Sequence, residues 1–495
     1  MKKAFKMLCL LLCLMICFSG CKNTSVEDET TTETPIESND KTEEIAKKEN
    51  ITLPYNIKDG LNPYFAKSYE NLYLSDLLYE TLFVVDKSLN VTPQIAKNIL
   101  INGNEAVVTI DKNHATMGSS PIDAYDVVYS FNLAKASYGF SGLLNGITSA
   151  TVINSEKVTF SLSYSNINIA GKLNFPICKS GTADGAESIP TGSGAYYFKN
   201  GELVNKADSN KIIKLKSVGK NDTVMGAFKI GAIDVYYSDL GDCIYSATDG
   251  ITENILLNNM VYLGFNSANG ALDSSIRSAI SLAVSSEDIS KFSFEGHAVP
   301  TKIPVNPNSA GFEKISQPDL NGNKEKAIQI LDRGGYIRYA GKAKTNGKYV
   351  LSLNLIVNSE NKFRVAAAYN IADSLNEIGF YCNVSVLSFA DYNERIASGN
   401  FDMYLGEIKL DGAGDFAGFF LEGTPYGMGI DKTLGSSTKY FEYLQGKITA
   451  DEYFKIFYED VPFLPICYRK GYVVSSKGVH PTIDLMPFSL YKNWR

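Results

Sequence analysis

Histidine, tryptophan and closely spaced cysteines are scarce in this chain. Its 495 residues hold three histidines, His114, His297 and His480, each isolated, and a single tryptophan. No HExxH helix, EF-hand loop or Walker A loop occurs, so the patterns that grip zinc, calcium or a nucleotide phosphate are missing. Gly139-Phe140-Ser141-Gly142 runs into Leu143 and fails the G-x-S-x-G elbow that exposes a nucleophilic serine. With no nucleophile and base set together, the chain reads as a non-enzyme that needs no cofactor and no metal. A formal net charge of -7 supplies no basic field, which excludes a nucleic-acid partner.

Of eight cysteines, Cys9, Cys13 and Cys17 fall in an N-terminal apolar run and Cys21 directly follows it. The other four, Cys178, Cys243, Cys382 and Cys467, form no CxxC pair, which argues against a zinc cluster. They leave two alternatives open, up to two disulfides or buried free thiols. Gly412-Ala413-Gly414-Asp415-Phe416-Ala417 formally matches a GxGxxA dinucleotide fingerprint. Gly418, Gly423 and Pro425 leave no room for the helix whose N-terminus would hold a pyrophosphate, so it is read as a loop.

What is present begins with a leader. Lys2, Lys3 and Lys6 precede an apolar run from Met7 to Phe18, too short to span a bilayer and suited to a secretory signal over residues 1–20. Phe18-Ser19-Gly20-Cys21 resembles a lipobox, which implies cleavage before Cys21 and a diacylglycerol thioether on it. Residues 21–50 continue in Thr, Glu, Ser, Asp and Lys, a composition that cannot bury enough surface to fold. They are read as a tether that lets a folded body stand off a membrane.

Folded sequence starts at Ile51, and its most informative stretch runs from Ile110 to Phe131. Pro121 is followed by Asp123-Ala124-Tyr125-Asp126, one carboxylate placed to cap a helix and a second three residues on to complete a capping box. Val127, Val128, Phe131 and Ala134 then recur on one helical face. Gly118, Pro121, Ala124, Asp126-Val127 and Tyr129-Ser130, in that order, resemble the signature block of the family 5 extracellular solute-binding proteins. One residue more than usual separates the glycine from the proline. Leu61-Asn62-Pro63-Tyr64, Tyr79-Glu80-Thr81-Leu82, Pro93 to Ala96, the turn Pro190 to Tyr196 and Ile230 to Val235 resemble further blocks of that family, again in order.

Other segments read by period alone. Strands are predicted at Ala106 to Ile110 and Lys157 to Leu162. A helix behind a capping Asp273 carries Ile276, Ala279, Ile280 and Ala283 on its buried face, with Arg277 as a structural ion-pair partner. Leu351, Leu353 and Leu355, a helix through Ile371 and Leu375 stopped by Gly379, and a strand through Val384 and Val386 make a βαβ unit; Asn400 to Glu407 adds another strand.

The resemblance implies an α/β, two-lobed periplasmic-binding-protein-like fold of class II, large cluster, with an extra subdomain in lobe I. Lobe I would comprise residues 51–85, 173–266 and 461–495, its subdomain 86–172, and lobe II 267–460, with two or three chain crossings as a hinge. It further implies a monomeric lipoprotein on the extracellular or periplasmic face of a cell membrane, delivering peptides to the permease and ATPase of an ABC importer. A nickel chelate, haem or an oligosaccharide as the solute, or a peptide-sensing role without import, are the alternatives. By the same comparison Asp411 or Asp415 would pair with a ligand ammonium, with Glu407 just upstream, while Tyr138 and Tyr468 match pocket aromatics. With 30 Tyr and 26 Phe, a pocket would be walled by broad apolar faces.

Overall fold

A computed structural model describes residues 48, 50–219, 221–245, 248–267, 272–339, 341–345, 349–479 and 490–491. The expected signal segment, the expected lipidation site at Cys21, nearly all of the expected tether, His480 and Trp494 lie outside the described residues. Among those described, no helix is long and apolar enough to cross a membrane.

Helix Ala124–Ala136 starts as its sequence dictates. Asp123 accepts from the backbone N–H groups of Tyr125 and Asp126, and Asp126 accepts in return from the Asp123 N–H at 3.0 Å. Asp126 also accepts from Lys179 Nζ at 2.7 Å and Ser180 N at 2.8 Å, so one carboxylate both caps the helix and fastens the segment that follows Cys178. The additional residue before Pro121 has a structural role of its own. Ser119, not Gly118, takes the left-handed conformation (φ 59°) that closes the turn.

This helix packs on a four-stranded antiparallel sheet ordered Ala96–Asn102, Glu105–Ile110, Lys157–Leu162, Ile147–Asn154. A second sheet pairs Ile51–Tyr55 in parallel with Ile212–Ser217 and continues through Glu202–Asn205 to Tyr196–Lys199. The turn before Tyr196 needs its glycines for a reason other than backbone angle. Neither Gly192 nor Gly194 has a positive φ, but a Cβ on either would lie 2.1 or 2.4 Å from a carbonyl oxygen of Leu78 or Leu77, at the end of helix Tyr69–Leu78.

The largest sheet runs Val235–Ser238, Phe463–Ser475, Ile251–Phe265, Met403–Lys409, Ser352–Asn358, Tyr381–Leu387, with Ala298–Pro300 added along Phe463–Ser475. The βαβ unit is there: Ser352–Asn358 and Tyr381–Leu387 are parallel and joined by helix Lys362–Glu377, after which Gly379 adopts φ 104°. Ser352–Asn358 is more buried than alternation suggests, because it lies between two partners and Ile356, Val357 and Asn358 are covered as well. Asp273 caps helix Ser274–Ala283 through the Ile276 N–H. Arg277 is buried as expected but held differently: its guanidinium donates to the carbonyl oxygens of Leu272, Asp460 and Val461, not to a carboxylate. All four body cysteines are free and buried.

Among the described residues, buried side chains gather in three cores, and the two longest strands, Ile251–Phe265 and Phe463–Ser475, serve all of them. Ile255 and Val473 belong to the first, Val261, Leu263 and Ile466 to the second, Leu256, Met260 and Tyr468 to the third. Where the cores meet, the pairing of these strands slips: Leu256 faces Lys470, yet Met260 faces Tyr468. Three residues thus stand opposite Arg469 alone, a bulge that leaves Asn258 and Asn259 without partners on Phe463–Ser475, while Asn259 still pairs with Lys409 on the other side. The passage between cores is paired β-structure carrying this local irregularity.

Candidate functional site

Strand Met403–Lys409 leaves the large sheet into a loop over residues 410–416, and the candidate site is built on that loop. Its backbone is fixed from three sides. Asn258 Nδ2, freed by the bulge, donates to the carbonyl oxygens of Leu410 and Asp411 at 3.1 and 2.8 Å. Asp411 accepts from Ala413 N and Asp415 N, folding the loop on itself. Gly412 lies so close to Gly171 that a Cβ on either would come within 2.5 Å of the other's main chain, which makes both glycines steric requirements.

The glycine contact brings Lys172 onto the two aspartates. Its Nζ lies 2.7 Å from Asp415 Oδ2, 3.0 Å from Asp411 Oδ2 and 2.8 Å from the Asn145 carbonyl oxygen. Asp415 also accepts from Tyr164 OH at 2.7 Å, Tyr440 OH at 3.0 Å, Asn166 Nδ2 at 3.3 Å and Ala417 N at 2.8 Å. Burial drags an ammonium toward neutrality, but two carboxylates outweigh it and raise the Lys172 pKa. Burial likewise works to raise Asp415; Lys172 and its hydroxyl donors overcome it and hold that carboxyl below the usual range. Asp411, with fewer donors and Asp415 as a like-charged neighbour, goes the other way: burial raises it.

Two cavities flank the loop. One, of about 560 Å³, is walled by Tyr138, Tyr164, Tyr426 and Phe416, by Lys172, Asp411 and Asp415, and by the main chain of Gly139, Gly142, Gly146, Gly418 and Gly423. The other, of about 620 Å³, includes Val91, Ile167, Asn258, Asn306, Phe312 and Tyr443. Beneath them lies an aromatic core in which Phe416 sits 4.1 Å from Tyr440 and Phe419 stacks on Phe463 at 4.0 Å between ring centroids. The loop therefore rests on rings that are closely packed.

Three of the five residues singled out from the sequence meet at the first cavity: Asp411 and Asp415 in its wall and Tyr138, 65% exposed, at its rim. The other two stand elsewhere. Glu407 belongs to the bulge, where it accepts from Arg469 Nε at 2.8 Å and Asn259 Nδ2 at 2.7 Å. Burial favours its neutral form, but Arg469 and Arg364 keep its pKa low, so it is a structural anion joining adjacent strands. Tyr468 is fully buried in the third core, and its hydroxyl has no hydrogen-bond partner among the described residues. Sequence reasoning missed Lys172, Tyr164, Asn166 and Tyr440. A signal for Lys172 existed: it is the only charged residue between Ser163 and Cys178, and a lone charge in such a stretch calls for a buried counter-charge.

This architecture is that of a two-lobed α/β binding protein, a class in which a solute is held in a cleft. The sequence family follows from comparison with known proteins. The family model for bacterial extracellular solute-binding proteins, family 5 middle region, matches residues 102–422, more than half of the chain, and the chain belongs to that family. No curated protein matches it. Among solved structures, the oligopeptide-binding protein AppA from Bacillus subtilis, in complex with a nonapeptide, is 18% identical with a TM-score of 0.58, over 90% of this chain and 98% of its own. NikA from Brucella suis, in complex with Fe(III)-EDTA, is 18% identical with a TM-score of 0.65, over 88% and 99%. The nickel ABC transporter protein from Bacillus halodurans is 15% identical with a TM-score of 0.69, over 86% and 95%. These likenesses establish the fold.

Proposed function

We propose that the protein captures peptides in the cavity beside the 410–416 loop and hands them to the membrane permease of an ABC importer. The observation that carries this reading is the make-up of the cavity wall. Five glycines bring main chain to the wall with no side chain over it. The carbonyl oxygens of Gly142, Gly146 and Gly418 already accept from Asn145 N, Ser163 N and Thr424 Oγ1, which leaves the other main-chain groups of these glycines to pair with an extended peptide backbone. Three tyrosines offer broad faces to varied side chains. Modest sequence preference follows, because water can fill the room left by smaller side chains. The nonapeptide held by AppA supports a peptide as the solute.

In this reading residues 51–85, 173–266 and 461–495 form lobe I, 86–172 its subdomain and 267–460 lobe II, so that the contact of Lys172 with Asp411 and Asp415 of the 410–416 loop would join the lobe I subdomain to lobe II. The lobes would close about the strand bulge at Asn258 and Asn259. Cys21 would carry the lipid that keeps the protein on the outer face of the cell membrane. Mutation of Cys21 to serine would then release the protein from the membrane fraction.

Isothermal titration with di- to pentapeptides tests the function. Saturable binding supports it. Flat traces for all peptides together with binding of a nickel chelate would replace the peptide by the kind of solute named for the NikA and B. halodurans proteins.

A further inference from the structure

The acidic pair in the cavity wall already holds a cation, and that cation belongs to the chain. Lys172 has three N–H donors, and its three partners, Asn145 O, Asp411 Oδ2 and Asp415 Oδ2, engage all of them. Asp415 is saturated: Oδ1 accepts from Tyr440 OH and Ala417 N, and Oδ2 from Lys172, Tyr164 and Asn166. Asp411 Oδ1 accepts from Ala413 N and Asp415 N, which leaves one lone pair on Asp411 Oδ2 beside its bond to Lys172. A ligand ammonium placed there would sit against the Lys172 ammonium and be repelled by it. Nor does the cavity as a whole call for a cation. Its charged lining residues are Lys172, Lys409, Asp411 and Asp415, which sum to zero.

We infer that Lys172 is a built-in replacement for a ligand ammonium, so that the cavity accepts peptides whether or not they carry a free N-terminal amine, N-acylated and cyclic peptides included. This rests on the peptide reading above for its ligand class, while the role of Lys172 rests on geometry alone. Recognition falls to main-chain hydrogen bonds and tyrosine faces, and Lys172 sets the specificity by withholding the carboxylates.

Two measurements test it. In the first, a peptide that binds is compared with its N-acetylated twin on the wild-type protein and on Lys172→Met. The twins are expected to bind the wild type within about threefold of each other, and the free-amine form to gain about tenfold or more over its twin on the variant, where the pair is open. A tenfold preference of the wild type for the free amine, or no gain on the variant, overturns the inference and leaves the peptide function standing. In the second, Lys172→Ala is melted in n-propylammonium chloride, the fragment the mutation removes, against equal sodium chloride. A rise in the variant's melting temperature without one in the wild type supports the inference; an equal rise in both, or none in the variant, overturns it. Should the variant not fold in sodium chloride, recovery of folded protein on refolding in propylammonium is the same readout. Rescue by propylammonium with no peptide bound would retain Lys172 as the internal cation and refute the peptide function instead.

Discussion

Lys172 and Lys302 are buried to the same degree, 1% and 2% exposed, and behave oppositely. Lys172 is surrounded by two carboxylates and a carbonyl oxygen, and its pKa is raised. Lys302 donates to one acceptor, the Ser281 carbonyl oxygen at 2.8 Å, and has no carboxylate within ion-pair reach among the described residues. Burial, only weakly opposed by the more distant Asp319, lowers its pKa to about 8. The comparison teaches that depth does not set the charge of an interior group. Partners do, because the interior resists an ammonium until a counter-charge is held against it.

The largest effect should come from breaking the partnered site. Lys172→Ala leaves two buried carboxylates without their cation and should cost about 3–5 kcal/mol in urea denaturation. A smaller effect should sharpen the other half of the comparison. The folded-state pKa of Lys302, about 8, lies below its ordinary value of 10.5, so between these pH values the unfolded chain binds more protons and stability rises with pH. That rise, on the order of 3 kcal/mol, should be present in the wild type and absent from Lys302→Met when both are unfolded across the window.

The two aspartates divide the same way. Asp415, held below its ordinary pKa by burial-defying partners, contributes stability above the unfolded value that is lost as pH falls through the folded one; Asp411, raised by burial, does not. Asp415→Asn should therefore cost about 2 kcal/mol at neutral pH and Asp411→Asn about 1 kcal/mol or less, measured by urea melts. The smallest effect belongs to a half-buried cation. His114 is raised by its hydrogen bond to Glu80 at 2.8 Å, so this pair adds stability below the unfolded histidine value that disappears as pH rises through the folded one. Replacing His114 by glutamine should remove about 0.5 kcal/mol, and only at the acid end.

Much of the fold was legible because its causes are local. Asp123 and Asp126 lie three residues apart and close a capping box in any chain that turns helical there. Leu351, Leu353 and Leu355, then Gly379, announce a strand and a helix stop through spacing and backbone freedom alone, and the parallel βαβ unit follows. The glycines before Tyr196 read from the sequence only as a turn, because what requires them is the main chain at the end of a helix far upstream.

The candidate site was legible only in part. The sequence by itself put Asp411, Asp415 and Tyr138 among the residues of interest and, through its ordered blocks, assigned the chain to a solute-binding family. Only tertiary structure decided that the aspartates meet an internal lysine, that Tyr164 reaches Asp415 across 251 positions, and that Glu407 and Tyr468 serve the framework. The reason is physical. Helix caps and strand periods are set by neighbours a few residues away, whereas the partner of a buried charge is chosen by how distant segments pack, and here that packing turns on two glycines, Gly171 and Gly412, pressed together.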